Sequence, residues 1–266
     1  MECKEEIGGS EGSGIIEDVG SELGDKGLKG RKVAFCHGAW AQWVVKDVDC
    51  LLYFSADADL RLAATAVTTP LAALCLKYLL LDLKAHTFLV SGAASTLGRM
   101  LLKVALRKNL RPIALVYSEK EASALAKEFG QVPVVLAADK ERLAKVIAEE
   151  RPMHLVALAG SEAGVFEAMP PGAEMVVAGN MANASLSLAT TELYMHAKRI
   201  QGFNFERHIA SMDKERRREL MRIVEEDINA GGEYFGIRGC KEFEFEEWDQ
   251  AVKEKGRVLL RFHKDS

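Results

Sequence analysis

The stretch FLVSGAASTLGRM (residues 88–100) runs from an apolar segment, through a turn of small residues, into a helical pattern. A short apolar run that ends at Ser and Gly is typical of a buried strand, and the residues after it favour a helix. In dinucleotide-binding sheets the corresponding turn reads G-x-G-x-x-G and cradles a pyrophosphate. Here its three glycine positions hold Ala93, Ser95 and Gly98. Taken alone, the stretch leaves a cofactor turn and an ordinary turn equally open.

The residues of this turn are compatible with an anion site. Ala and Ser are the smallest replacements for Gly, and the N–H groups at the start of the following helix are available to an anion. Ser95 or Thr96 can cap that helix or donate a hydroxyl group to a phosphate. Arg99 is either a solvated arginine or a cation that a nearby anion balances. The residues expected around the pyrophosphate are Ala93, Ala94, Ser95, Thr96, Leu97 and Gly98.

Apolar segments recur along the middle of the chain and alternate with helical ones. The strand candidates are residues 87–91, 112–117, 132–136, 154–159 and 174–179, and the helical runs are 96–108, 119–129, 139–150 and 161–168. Buried strands that alternate with helices form a parallel sheet with helices on both faces. The sequence therefore predicts an α/β fold.

The flanking segments have a different pattern. Residues 31–54 contain short β-rich runs that predict small antiparallel structure, and a helical segment follows that is kinked or split at Pro70. After a strand in 198–205, a helix is predicted over 210–229, and the chain ends as strand, helix, strand. This order predicts a dinucleotide-binding domain inserted into a second, β-rich domain.

The end of the second strand of the sheet bears on the identity of the nucleotide. In NAD-binding sheets an acidic residue there holds the ribose 2′-hydroxyl group. Tyr117 takes that place here, followed by Ser118, Glu119 and Lys120. With no carboxylate at the strand end, and a hydroxyl and an ammonium group behind it, we predict NADP(H), with Tyr117, Ser118 and Lys120 as contacts. The alternative is that Lys120 is an ordinary surface residue.

Composition excludes several classes of protein. The net charge of −4 comes without a basic block, so no nucleic-acid partner is expected. Five widely spaced cysteines predict neither disulfides nor a zinc site, and Cys75 is expected to be a buried apolar residue. The longest apolar run is interrupted by Pro70 and Lys77, and the first residues lack the pattern of a signal peptide. We therefore predict a cytoplasmic protein without a membrane partner.

A second dehydrogenase pattern is present but is attributed to chance. Tyr194 and Lys198 have the Y-x-x-x-K spacing of the short-chain dehydrogenases. The segment SGAASTLG also resembles the glycine-rich loop of that family. In that family the loop opens the chain, whereas 90 residues precede it here, and the segment after Lys198 predicts a strand rather than a helix.

Six segments in order resemble the medium-chain dehydrogenase/reductase superfamily, in its zinc-free quinone oxidoreductase and enoyl reductase-like branch. They are EGSGIIEDVGSEL (11–23), GRKVAF…HGAWAQWVV (30–45), AATAVTTPLAAL (63–74), SGAASTLGRM (91–100), KRIQGFNF (198–205) and FEFEEWDQAVKE…KGRVLL (243–260). The resemblance implies a Rossmann doubly wound parallel sheet (61–205), inserted in a partial GroES-like β-rich catalytic domain (1–60 plus 206–266). It also implies hydride transfer from NADPH to a quinone, an enone or an enoyl thioester, and a homodimer formed by pairing sheet edges.

Gly160 follows the fourth strand, and Gly179 and Asn180 follow the fifth, at the carboxyl ends where open α/β sheets bind ligands, although small residues there also form ordinary turns. The resemblance extends the cofactor site to Thr69 and Phe203. Three departures accompany it. The usual Asn and Thr of the N-P-x-T-A helix are Thr69 and Ala72, and the basic residue of the helix after the second strand falls on Ala122. The family's first half-barrel, which carries polar catalytic side chains and zinc ligands in some relatives, has no counterpart in this sequence.

We therefore predict no metal and assign no catalytic residue. Tyr53, His37 and Tyr194 are proton-donor candidates by chemistry alone, and each is expected to be structural. Two alternatives to an active reductase stay open. One is a truncated or degenerate member that binds NADP(H) without turnover, and the other is a non-enzymatic interaction protein.

Overall fold

A computed structural model describes residues 7–24 and 27–262 of the chain. The chain divides into two compact units. The first consists of residues 1–71 and 213–266, and is called the outer unit below; the second, residues 72–212, is called the inner unit.

The strands are β1 (Glu11–Ile15), β2 (Lys32–Cys36), β3 (Leu52–Phe54), β4 (Thr87–Val90), β5 (Arg111–Val116), β6 (Val134–Leu136), β7 (His154–Ala157), β8 (Glu174–Val177), β9 (Arg199–Gly202), β10 (Lys241–Glu244) and β11 (Val258–Arg261). The α-helices are α1 (Leu60–Ala63), α2 (Thr68–Asp82), α3 (Thr96–Leu106), α4 (Glu119–Glu128), α5 (Lys140–Glu150), α6 (Ala163–Ala168), α7 (Thr190–Tyr194), α8 (Phe205–Ser211), α9 (Lys214–Asn229) and α10 (Trp248–Ala251).

The inner unit is built on a six-stranded sheet in the order β6-β5-β4-β7-β8-β9, and every neighbouring pair is parallel. The chain moves outward from β4 through β5 to β6, then returns to the other side of β4 and continues through β7 to β9. This reversal beside β4 is the mark of a doubly wound sheet, and such sheets bind ligands outside the carboxyl ends of their strands at the point of reversal. The predicted α/β class is confirmed.

The core of the inner unit explains why the apolar runs became strands. Leu89, Leu155 and Met175 are fully buried in the sheet and pack in one cluster with helix residues such as Val146 and Phe166. Strands covered in this way carry continuous apolar runs rather than an alternating pattern. Cys75 is also fully buried, as predicted.

The outer unit contains the predicted antiparallel structure, a three-stranded sheet in the order β1-β2-β3. Its other sheet pairs β10 with β11 in parallel, with α10 between them, which confirms the predicted strand, helix and strand. The helix predicted over 210–229 is divided, because Asp213 caps the start of α9 and ends the run of α8.

The prediction that the helical segment is kinked or split at Pro70 is wrong. The break in the helical segment lies between α1 and α2, and Pro70 is the third residue of α2. A proline is tolerated in a first helical turn because the N–H group that it lacks has no partner there in any case.

Within residues 7–24 and 27–262, no helix is long and apolar enough to cross a membrane.

Candidate functional site

The loops that follow β4, β5, β7, β8 and β9 lie at one edge of the inner sheet, because the strands are all parallel. These loops, with the first turns of α3 and α4, contain every predicted cofactor contact except Thr69. The structure thus brings together, on one edge, residues that are more than 100 positions apart in the sequence.

The turn after β4 has the geometry of a strand-to-helix cradle. Ser95 is the N-cap of α3, and its side chain accepts a hydrogen bond from Gly98 N at 3.1 Å. A Cβ atom at Gly98 would lie 2.6 Å from the Gly92 carbonyl oxygen and 2.7 Å from Ala93 Cα. Both neighbours are backbone atoms, so only glycine allows the helix to lie this close to the turn. This is the packing role predicted for Gly98.

Gly92 was missed by the sequence reasoning, which assigned the first position of the motif to Ala93. Gly92 has a φ of +56°, which L side chains rarely adopt, whereas Ala93 is fully buried and has an ordinary φ. The bend therefore falls one residue earlier than the G-x-G-x-x-G template places it. A search for any glycine directly after the strand would have found it.

The start of α3 presents free backbone donors. Among the residues that the structure describes, the N–H groups of Ala94, Thr96 and Leu97 have no acceptor, while those of Ser95, Gly98 and Arg99 bond within the turn. Unpaired N–H groups at a helix start carry partial positive charge and suit an anion such as a pyrophosphate. Ala94, Thr96 and Leu97 therefore fit the role that was predicted for them.

Arg99 is held by two groups of the inner unit. Its Nε donates to the Ala94 carbonyl oxygen at 3.0 Å, and its guanidinium group pairs with Glu128. The side chain thus links the turn to Glu128, the last residue of α4.

A buried carboxylate joins the loops on the two sides of the reversal point. Glu162, only 2% exposed, accepts hydrogen bonds from the Ser91 hydroxyl, from Ala159 N at 2.8 Å and from Gly160 N at 2.9 and 3.0 Å. The Ser91 oxygen in turn accepts from Leu158 N at 2.9 Å. Among the described residues Glu162 has no cationic partner, so backbone and hydroxyl dipoles alone compensate its charge.

The loops after β7 and β8 also pack closely together. Gly160 has a φ of +94°, and a Cβ atom there would overlap the side-chain oxygen of Asn180. A Cβ atom at Gly179 would lie 2.7 Å from the Leu158 carbonyl oxygen. Asn180 holds its own loop through two hydrogen bonds with Ala184, at 2.9 and 3.0 Å. Gly160 and Gly179 are therefore glycines because the two loops touch, whatever they bind.

The end of β5 differs from the expectation in one respect. The sequence reasoning assumed that no carboxylate lies there, but Glu121 reaches back from the first turn of α4. Its Oε2 accepts hydrogen bonds from Tyr117 N at 2.9 Å and Ser118 N at 3.1 Å, and Ser118 Oγ accepts from Glu121 N at 3.3 Å. This reciprocal arrangement is a capping box. The S-x-x-E spacing could have revealed it.

The side chains beside this capping box are accessible. Tyr117 is 41% exposed, and partial burial raises the pKa of its phenol. Lys120 is exposed and forms no ion pair with the described residues. Both remain predicted contacts of the nucleotide.

Two further predicted contacts have roles of their own. Phe203 extends the pairing of β9 with β8, since its N–H group donates to the Val177 carbonyl oxygen at 2.8 Å. The centre of its ring lies 5.2 Å from that of the His208 ring. Thr69, in the outer unit, is buried and accepts a hydrogen bond from Arg257. Arg257 also pairs with Glu11 at 2.8 Å.

Tyr194 and Lys198 have different surroundings in the structure. Lys198 is buried; its ammonium group contacts Glu192 at 2.6 Å and donates to the carbonyl oxygens of Phe166 at 2.7 Å and Glu167 at 2.9 Å. The hydrogen bond from Lys198 holds the pKa of Glu192 below its usual value. Tyr194 is 72% exposed at the end of α7.

The other proton-donor candidates lie in the outer unit. The Tyr53 hydroxyl donates to the Val48 carbonyl oxygen at 3.0 Å, and burial raises the pKa of the phenol. His37 has a φ of 63° and its carbonyl oxygen accepts from Lys46. Among the described residues, no three or more His, Cys, Asp or Glu side chains are grouped so that they could hold a metal ion.

No protein-family model matches the chain, and no curated protein matches it. Solved structures do. A protein from Mesorhizobium loti assigned as an NADPH:quinone reductase has 23% sequence identity and a TM-score of 0.80, over 95% of this chain and 77% of that one. The Escherichia coli quinone oxidoreductase, complexed with NADPH, has 18% identity and a TM-score of 0.75, over 95% and 81% of the two chains. A mutant enoyl thioester reductase from Candida tropicalis has 17% identity and a TM-score of 0.75, over 96% and 79%.

These matches span both units of the chain and all have the same kind of fold. The chain therefore has the fold that quinone reductases and enoyl thioester reductases share, which is the fold that its resemblance to the medium-chain dehydrogenase/reductases predicts.

Proposed function

We propose that this protein is an NADPH-dependent oxidoreductase that transfers a hydride to a quinone, an enone or an enoyl thioester. The observation that carries the proposal is the turn after β4, with its free N–H groups, in a chain whose fold is that of a quinone oxidoreductase solved with NADPH. The acceptor classes follow from the names of the similar structures, quinone reductase and enoyl thioester reductase.

The residues present fit a dinucleotide. Ala94, Thr96 and Leu97 would bind the pyrophosphate through their N–H groups, with Gly92 and Gly98 allowing the close approach. When bound, NADPH supplies the hydride. The part of the protein is to hold the cofactor and the acceptor in register and to keep water away from them.

The direct test is NADPH oxidation, followed by the loss of absorbance of the cofactor, with a quinone and with a crotonyl thioester as separate acceptors. Turnover with either acceptor supports the proposal. NADPH binding without turnover would favour a member that only binds the cofactor, and no binding would favour an interaction protein.

A substitution in the turn links activity to the site. Gly98→Ala forces a Cβ atom against the Gly92 carbonyl oxygen, so the turn must move; we expect NADPH affinity to fall more than tenfold. Gly130→Ala is the control, because a Cβ atom there meets nothing within 4 Å and the φ is ordinary. Affinity is measured by the fluorescence of bound NADPH, and an equal effect of the two substitutions would contradict this assignment.

We also propose a homodimer through the edge of the inner sheet. β9 is the edge strand, and apolar side chains on and before it are exposed, including Met181, Tyr194, Met195 and Ile200. Sedimentation analysis of the chain should then give twice the mass of 29.2 kDa, and Ile200→Lys should give the monomer. The cytoplasmic location stays a prediction.

A further inference from the structure

The first turn of α4 contains two groups with opposite effects on a nucleotide. Lys120 is an exposed cation without an ion-pair partner among the described residues, and it would attract a ribose 2′-phosphate. Glu121, the next residue, carries a carboxylate that is held at the end of β5 by two backbone N–H groups. We propose that Glu121 determines cofactor specificity, because its carboxylate favours a ribose 2′-hydroxyl group and opposes a 2′-phosphate. The preference for NADPH over NADH is then smaller than the preference that Lys120 and Ser118 alone would produce.

The position of the Glu121 carboxylate supports this role. In sheets of this type the ribose of the adenosine half is recognised at the end of the second strand, which is β5 here. The Glu121 carboxylate lies there although its residue is in the helix, because Oε2 is 2.9 Å from Tyr117 N and 3.1 Å from Ser118 N. It therefore occupies the place that an acidic residue at the strand end occupies in NAD-binding sheets.

The hydrogen-bonding capacity of Glu121 supports the same role. Oε2 accepts both backbone hydrogen bonds, whereas Oε1 of Glu121 accepts none from the described residues. A carboxylate oxygen that has no donor can accept from a hydroxyl group. A 2′-phosphate would instead bring its own negative charge, about −1.5 to −2, against the carboxylate.

The Glu121 carboxylate also competes with a phosphate for backbone donors. A phosphate at a helix start normally takes the N–H groups of the first turn. Here the N–H groups of Tyr117 and Ser118 already bond to Glu121, and the Ser118 hydroxyl oxygen already accepts from Glu121 N. A 2′-phosphate would have to displace the carboxylate to use these donors. Among the described residues of this turn, the N–H groups of Glu119 and Lys120 and the Lys120 ammonium group stay open to it.

The test is titration of the whole chain with NADPH and with NADH, separately, followed by the fluorescence of the reduced nucleotide. Glu121→Gln has the same shape and keeps an oxygen for the two N–H groups but removes the charge. We expect the ratio Kd(NADH)/Kd(NADPH) to rise about tenfold, which corresponds to about 1.4 kcal/mol. Glu119→Gln is the control; it removes an exposed carboxylate of the same turn that contacts none of the described residues, and the ratio should stay within about twofold.

Glu121→Ala provides a second variant, because it removes the carboxylate altogether while Ser118 still caps the helix. It should raise the ratio in the same direction, with the folded state checked by circular dichroism. An unchanged ratio in both Glu121 variants, or an equal rise in Glu119→Gln, would overturn the inference.

The inference rests on the proposed cofactor site, and the two fail in different ways. If neither the wild type nor any variant binds either nucleotide, both the proposed function and this inference are overturned. If the wild type binds NADPH and the substitutions at Glu121 leave the ratio unchanged, only the inference is overturned.

Discussion

Glu162 and Glu121 use their carboxylates in the same way at two strand ends that flank β4. Each carboxylate accepts hydrogen bonds from two backbone N–H groups of a loop, Glu162 after β7 and Glu121 after β5. Their surroundings differ, because Glu162 is 2% exposed and also binds the Ser91 hydroxyl, whereas the donors of Glu121 belong to exposed residues. A donor that loses its partner inside the protein stays unpaired, but an exposed one is taken over by water. The buried carboxylate should therefore matter for stability and the exposed one for recognition.

The largest effect is expected from Glu162→Ala. It leaves the Ser91 hydroxyl and the Gly160 N–H group without their acceptor, and Ala159 N keeps only its hydrogen bond to Ser91 Oγ at 3.3 Å. At about 1 kcal/mol or more for each lost acceptor, we expect a loss of about 2 kcal/mol in the stability of the inner unit. All three tryptophans lie in the outer unit, so the measurement is hydrogen exchange at the amides of the inner unit rather than tryptophan fluorescence.

Glu162→Gln is the matched control for that substitution. Glutamine has the same shape and keeps one side-chain oxygen, which can accept from Ser91, Ala159 and Gly160. Its amide nitrogen replaces the other oxygen, so only the second contact of Gly160 N is lost. A loss of about 1 kcal/mol is expected. If Glu162→Ala itself costs less than about 0.5 kcal/mol, the carboxylate does not join the two loops in solution.

A third carboxylate, that of Glu192, has its negative charge compensated by a cation rather than by backbone N–H groups. Glu192 is paired with the buried Lys198 and also contacts His196 at 3.2 Å. Since its pKa is lowered in the folded chain, the carboxylate contributes stability that is fully present above about pH 4.5 and is lost as the pH falls through the lowered value. The difference in thermal midpoint between wild type and Glu192→Gln should therefore shrink between pH 5 and pH 3.

A double-mutant cycle isolates this pair. In a Lys198→Met background, the difference produced by Glu192→Gln should fade much less over that range. The hydrogen bond that chiefly lowers the pKa of Glu192 is then gone, and only the weaker effect of His196 remains. A difference that stays constant from pH 7 to pH 3 in the wild-type background would show that the ion pair adds nothing that depends on the charge of Glu192.

The sequence predicted the sheet because strand formation here depends on local apolar content. The runs around Leu89, Leu155 and Met175 had to be buried on both faces, and the observed bounds follow them closely. Gly98 was also predictable, since a motif position that needs close packing tolerates only glycine. Such features are contained in a few neighbouring residues.

The missed features depend on where a side chain points or on distant partners. Ser91 and Glu162 are 71 residues apart, and nothing local in either segment announces their hydrogen bond. Glu121 was overlooked because a carboxylate was expected from the strand end, whereas this one reaches back from the helix. Gly92 was missed because a fixed template was placed one residue too late for the bend.

The smallest effect on stability is expected at Glu121. Glu121→Ala removes the reciprocal half of the capping box, yet Ser118 still caps α4 and the freed N–H groups of Tyr117 and Ser118 belong to exposed residues. We expect a loss of about 0.5 kcal/mol in the stability of the inner unit, measured by the same hydrogen exchange as for Glu162→Ala. A loss near that of Glu162→Ala would mean that the loop after β5 is held as firmly as the loop after β7, and the carboxylate at β5 would then be structural. A small loss together with a changed nucleotide ratio would separate the two carboxylates by role, since water can replace the Glu121 carboxylate as an acceptor but cannot reproduce its charge beside the ribose.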